Sequence, residues 1–248
     1  VDCAFAVTGA HAAVALNREE QPPHETLFAA AGDELSIGPM QKGARVYVAF
    51  AGAIVAPDIL GSVSTNLQAA FGGHEGRALQ AGDVLGLAPH EQAAQRTPDE
   101  FRMPMPSSWA VHACDAAETS LLDEASEAAL FETNWVIDQR ADRVGLRLDG
   151  PRLTVSSDGR MPSAGVIPGT IQCPEDGAPY ALAVDCGTVG GYPRIAQIAR
   201  ADRHVLGQLR PGDHLRLLRR SADEAVAVLH AKIDYWRAWL PEIASILR

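Results

Sequence analysis

Between Met161 and Ile195, hydroxyls, an amide and main-chain N–H groups stand among glycines and prolines. In Met161-Pro-Ser-Ala-Gly-Val-Ile-Pro-Gly-Thr-Ile-Gln172, Gly165 and Gly169 can supply positive φ. Pro162 and Pro168 fix their own φ and bias the preceding residues toward extended backbone. Such a loop can hold N–H groups, the Ser163 and Thr170 hydroxyls and the Gln172 amide around one ligand. In Asp185-Cys-Gly-Thr-Val-Gly-Gly-Tyr-Pro193, a strand over 180–185 delivers Asp185 to a glycine turn. There Gly190 and Gly191 permit close approach of a backbone or substrate, and Thr188 and Tyr192 add hydroxyls. Donors so arranged suit the stabilisation of negative charge developing on an oxygen. Thr170, Asp185 and Tyr192 are the candidate catalytic groups; the plain alternative is that both segments are β-turns and nothing more.

Two further clusters invite the same question. In Gly61-Ser-Val-Ser-Thr65, Ser64 and Thr65 can bind a carboxylate or phosphate, although such hydroxyls commonly satisfy neighbouring backbone instead. His74, Glu75 and Arg77, set between Gly72, Gly73 and Gly76, can orient an anion or move protons, or simply form a solvated hairpin tip. Cys3, Cys114, Cys173 and Cys186 show neither CxxC nor a His pair at ligand spacing, so neither a metal site nor a disulfide scaffold is expected. Free thiols fit a reducing, cytoplasmic setting. There is no P-loop and no Met-Lys-Met biotin-attachment site.

The elements that must position these residues read as mainly β. The 248 residues are 47% hydrophobic, enough for sizeable cores, and the net charge of −10 argues against nucleic acid and against an anionic membrane. Val1–Thr8 alternates as a strand, Arg45–Phe50 is rich in β-formers, and 109–113, 143–148 and 152–155 follow the same pattern. Ala31-Gly-Asp33, Ala81-Gly-Asp83 and Pro211-Gly-Asp213 each precede an alternating run, a turn-then-strand echo that suggests two related β units. The spacing predicts a first unit over 1–88, a proline-rich linker over 89–108, a second unit over 109–220 and a terminal helix over 221–248. Thr119 or Ser120 is expected to cap a helix over 121–131, and Asp202 a short helical turn. Ser221-x-x-Glu224 is a capping box opening a helix whose apolar face, Val226, Leu229, Ile233, Trp236 and Leu240, is expected against the protein's own barrel.

Several spaced blocks together resemble the carboxyltransferase-domain family: PSxGVxPGTIQ, DxxTxGGYPxIA and Gln208-Leu-Arg-Pro-Gly-Asp213, preceded by Gly61–Thr65, Phe71-Gly-Gly-His-Glu-Gly-Arg77 and Ala81–Leu85. That family includes the 5-oxoprolinase C subunit, KipA-type proteins, allophanate hydrolase subunit 2 and part of urea carboxylase. The resemblance implies a pair of cyclophilin-like β-barrels with short helices. It also implies ATP-coupled amide chemistry with two partners: a B-type subunit (of the KipI or allophanate hydrolase subunit 1 kind) and an A-type subunit of the LamB/YcsF kind. The alternatives within the family are a biotin-dependent carboxyltransferase acting on urea or a related amide, and a non-catalytic KipA-type regulator. ATP would then bind with or on a partner. The block ADRVGLRLDGP makes Arg143 a secondary candidate for holding an anion.

Two departures accompany the resemblance. Family members usually carry a further segment before this start, so an N-terminally incomplete first barrel is expected. Val63, Arg160, Ala164, Gly187 and Val189 stand where the family commonly has Arg, an acid, Glu, Gln and Thr. Four of those five are side chains that cannot hydrogen-bond, which raises the prospect of altered catalysis.

Overall fold

Trp109, Val111 and Ala113 alternate along one strand and are all buried, which makes that strand the seam of a core. The protein is described here by a computed structural model covering residues 2–91, 93–156 and 161–246. Its chain divides into two compact units: Val1–Pro39 with Val46–Arg102, and Met40–Arg45 with Met103–Arg248.

The second unit is a closed barrel of seven strands. In spatial order these are Asn134–Ile137, Gly145–Asp149, Tyr180–Leu182, Thr170–Gln172, Arg194–Ile198, Ser108–Cys114 and His214–Arg219, the last returning to the first. Neighbours are antiparallel except the last two, which run parallel with Leu215 beside Trp109 and Leu217 beside Val111. Closure leaves no open edge, and the inward positions are filled by Trp135, Leu148, Ile171, Ile195, Leu215 and Leu217. Each is worth about 1.5–3 kcal/mol of burial.

The first unit is built differently. Its strands form open sheets: Thr26–Ala29, Cys3–His11 and Lys42–Phe50 in one, Glu19–Glu20, Val14–Leu16 and Leu35–Ile37 in another, Gly52–Val55 with Gly86–Pro89 in a third. Phe5, Val7, Val14 and Leu27 make a small core there. The mainly β class therefore stands, with barrel closure found in the second unit.

The three Gly-Asp turns share one geometry. Asp33, Asp83 and Asp213 each accept the N–H three residues back, from Ala30 (2.8 Å), Gln80 (2.7 Å) and Arg210 (2.9 Å), and each returns its own N–H to that residue's carbonyl. Gly32, Gly82 and Gly212 have φ of +97°, +93° and +87° with open space where a Cβ would stand, so backbone conformation alone demands glycine.

Gln208 explains why residues 40–45 belong with the barrel. Its Oε1 accepts from Ala44 N (3.0 Å) and Arg45 N (3.1 Å), and its Nε2 donates to Arg45 O (3.0 Å), so a buried amide stands in for a strand partner.

Within 89–108, read as a proline-rich linker, His90 N donates to Ala51 O, Thr97 N to His24 O, and Phe101 and Met105 are buried. Several other local expectations are corrected. The helix expected over 121–131 runs Glu124–Glu132, because the Asp123 carboxylate caps Ser126 N at 2.7 Å while Leu122 is extended and bridges Val155. That bridge is all that forms of the strand expected over 152–155. Thr119 caps nothing there; its hydroxyl donates to Ile195 O at 2.7 Å. Asp202 does not cap its turn either, because its carboxylate accepts from His112 N (2.8 Å) and meets Nδ1 (2.7 Å).

The capping box forms as read, and the helix runs Ala222–Arg237. Its inward face is only half-buried at Leu229, Ile233 and Trp236, while Val226 is exposed. Lys232 reinforces that contact by donating to Ala201 O at 2.6 Å. No helix is long and apolar enough to cross a membrane among the described residues.

Candidate functional site

The two glycine-rich segments of the second unit meet. Ala164–Gly165 pairs with Val189–Gly190 as a two-stranded ribbon, and Val166 N donates to Thr188 O at 3.0 Å. Arg194, directly after the Gly-Gly-Tyr-Pro turn, clamps both stems. Its Nη2 and Nε donate to Glu118 at 2.6 and 2.8 Å, its backbone N to the same carboxylate at 2.9 Å, and its Nη1 to Gly165 O at 3.3 Å. The Arg194 guanidinium holds the Glu118 carboxyl below the usual carboxylate range.

Gln172 is aimed by an irregularity. The register against Arg194–Ile198 shifts between Ile171 and Gln172, so Ile171 faces Ala196 but Gln172 faces Arg194. The Gln172 amide then donates to Tyr192 O at 3.1 Å and lies against Gly190, where a Cβ would meet Nε2 at 2.6 Å. The close approach that Gly190 permits is thus by a side chain of the same unit. Gly191 has more room, with Ser163 Oγ 3.8 Å from the position a Cβ would take.

Tyr192 borders two hollows. The larger, about 650 Å³, is lined by Arg147, Gln172, Pro174, Glu175, Asp176, Tyr180, Leu182 and Tyr192. The smaller, about 290 Å³, lies among Leu153, Met161, Cys173, Gly191 and Pro193. Cys173 is no ready nucleophile, because burial pushes its thiol up to about 11. Burial likewise raises Tyr180, which keeps its phenol protonated at neutral pH. Its ring rests on Gly145, where a Cβ would collide with it.

The expected residues therefore separate into groups. Ser163, Gly165, Gln172, Thr188, Gly190, Gly191 and Tyr192 come together around the ribbon and the hollows. Thr170 does not face them: it is buried, donating to Gln197 Oε1 at 2.8 Å and accepting Ile167 N at 3.2 Å. Its hydroxyl closes the Gly169 turn, whose φ is +90°, whereas Gly165 sits in the ribbon without positive φ. Asp185 also turns away, paired with Arg143 at 2.5 and 3.0 Å, and neither lines either of these two hollows. Of the departures from the family pattern, Ala164 and Val189 lie in the ribbon, Gly187 near Val189 O, and Val63 in the first unit. Arg160 lies outside the described residues.

In the first unit the matched blocks form one network. Thr65 packs on Gly73, and Ser64 O lies 2.5 Å from where a Gly72 Cβ would stand. Arg77 donates to Asp83 at 2.7 and 2.8 Å and to Glu75 at 2.7 Å, and His74 Nε2 lies 3.3 Å from Asp83. Hydrogen bonds from Arg77 hold the Asp83 carboxyl well below its ordinary range. Glu75 and Arg77 thus spend their charges on each other and on the Gly-Asp turn, and His74 meets the same Asp83.

Sequence reading missed Arg147, Asp176, Tyr180 and Glu118 and saw Asp83 only as part of a turn. Arg147 carried a usable signal, because Leu146 and Leu148 on either side point inward and leave it outward between them.

The second unit thus joins a closed seven-strand barrel to a two-stranded glycine ribbon. A family model described as "Carboxyltransferase domain, subdomain A and B" matches residues 1–219, and the chain belongs to that family. It is 34% identical over 239 residues to the 5-oxoprolinase C subunit of Escherichia coli, covering 95% of this chain and 76% of that protein. To urea amidolyase of Saccharomyces cerevisiae it is 28% identical, covering 86% of this chain but 13% of that much longer protein. The solved Kluyveromyces lactis urea carboxylase superposes with a TM-score of 0.88 at 25% identity, over 95% of this chain and 23% of the other.

Proposed function

We propose that this chain is the substrate-holding component of a multi-subunit, ATP-dependent amide-opening enzyme of the 5-oxoprolinase type. In that reaction 5-oxoproline, ATP and water give glutamate, ADP and phosphate. The observation that carries the reading is the hollow beside Tyr192, where the Gln172 amide, two phenols and one guanidinium converge over apolar Pro174 and Leu182. A compact lactam has ring methylenes for the apolar wall and an amide for Gln172 and Tyr192. The identity to the 5-oxoprolinase C subunit over 95% of this chain supports the same class.

The partners in this reading are a B-type subunit of the KipI kind and an A-type subunit of the LamB/YcsF kind, in the cytoplasm. ATP would supply a leaving group on the lactam oxygen. The hollow does not fit a triphosphate, since Glu175 and Asp176 oppose Arg147, the one cation among its described lining residues. The nucleotide is therefore assigned to a partner. What this chain contributes is binding and orientation, with the Tyr192 hydroxyl placed to donate a hydrogen bond or proton at the amide.

The test is reconstitution with both partner subunits, following phosphate release that depends on both ATP and 5-oxoproline. Tyr192→Phe is expected to lower turnover about 10²-fold, the scale of one positioned donor. A second reading, carboxyl transfer to an amide from a biotinylated carrier, is favoured by the superposition on urea carboxylase. It predicts biotin-dependent carboxylation instead. Complex formation without either turnover would assign the chain to the KipA-like regulators.

A further inference from the structure

Arg147 is the one cation among the described residues that line the larger hollow, and it is under-paired. Its Nη2 donates to Asp176 Oδ2 at 2.5 Å, but its Nε–H is buried without a partner. Asp176 does not fill that gap: it meets Arg147 through Oδ2 alone, while its Oδ1 accepts Ala178 N at 3.1 Å. A guanidinium is best satisfied by a carboxylate that accepts from Nε and Nη together, and a single-point contact leaves part of that capacity unused. Asp176 is itself half-exposed, so water weakens its hold on Arg147. Buried polar groups left without a partner are uncommon and point to water or ligand at the spot. Arg143 has no such opening, since Asp185 engages two of its nitrogens at once.

We infer that Arg147 anchors the carboxylate of a lactam or amide acid in this hollow, displacing Asp176, while the Tyr180–Leu182 wall receives the methylenes. The inference rests on the reading of the hollow as the substrate site and adds the group that selects an acid over a neutral amide. Glu175, exposed at the rim, opposes the same anion and makes binding salt-sensitive.

The experiment is calorimetric or ligand-observed NMR titration with two probes, 5-oxoproline and 2-pyrrolidinone, the same ring without its carboxylate. It is run on the chain alone and on its complex with the KipI-like partner. 5-oxoproline is expected to bind at least tenfold more tightly. Arg147→Met removes that difference, and Asp176→Asn, which frees the guanidinium, tightens 5-oxoproline several-fold. Equal binding of both probes, lost on Tyr192→Ala, would overturn the role of Arg147 and leave the hollow as the site. No binding in either form, or binding indifferent to Tyr192→Ala, would overturn both. If Arg147→Met only lowers the melting temperature and Asp176→Asn changes nothing, the pair is a surface bridge and the inference fails.

Discussion

The two units solve the problem of holding loops in opposite ways. In the second, a closed barrel satisfies its own edges and buries Trp135, Ile171 and Leu217. It can therefore carry a ribbon braced by Glu118, Arg194 and Gln172. In the first, sheets stay open, Leu60 and Val84 are 99% and 84% exposed, and the Gly61–Arg77 loop is held by glycine contacts and the Arg77–Asp83 ion pair. Hydrophobic closure positions one set of loops and polar fastening the other. The two should respond differently to loss of buried volume and alike to changes local to a turn or an ion pair.

The largest contrast should come from cavities. Trp135→Ala removes a fully buried ring whose Nε1 donates to Leu130 O, and is expected to cost about 3–5 kcal/mol by urea denaturation. Phe28→Ala, at a 59% exposed position of the first unit, should stay within about 0.5 kcal/mol. Comparable losses at both sites would break the comparison.

Next in size is Gln208→Leu, which strands the N–H groups of Ala44 and Arg45 and the Arg45 carbonyl. A loss of about 2–4 kcal/mol is expected, with hydrogen exchange rising at 40–45. Smaller again are Gly82→Ala and Gly212→Ala, each forcing a Cβ into positive φ. About 1 kcal/mol apiece, equal in the two units, would show that the turn is intrinsic and independent of the sheet it serves.

The smallest effects are those of pH, and they have the same sign in both units. Asp83 and Glu118 have depressed carboxyl pKa values in the folded state. Their stabilisation is complete above the unfolded values near 4 and is lost as pH falls toward the folded ones. His204 is lowered by burial and by Lys232, whose Nζ lies 3.2–3.3 Å from its ring nitrogens. Its contribution is present above about 6.5 and lost as pH drops through the folded value. Trp236 and Trp239 fluorescence should thus report loosening of the terminal helix below about pH 6, and His204→Gln should flatten that response.

Much of this was legible because it is local. Positive φ at Gly169, the turns at Gly82 and Gly212, the Ser221–Glu224 capping box and the alternation along 109–113 depend on neighbours a few residues away, and each appears where its residues place it, whereas Gly165 lacks the positive φ expected of it because it pairs in the ribbon. The ribbon was legible only as two loops rich in the right groups. Pairing Ala164 with Gly190 requires strands from distant parts of the chain to fix the register.

What the sequence alone determined, then, is the class of fold, the turns and the pool of candidate side chains, since propensity, periodicity and backbone sterics act over short range. Tertiary structure decided which candidates share a space. Thr170 was drawn inward by Gln197, Asp185 was claimed by Arg143, and Arg147 and Tyr180 were brought beside Tyr192. Side chains of one type become a buried prop or an exposed donor according to the partner that long-range packing delivers. That partner lies dozens of residues away, beyond the reach of any local rule.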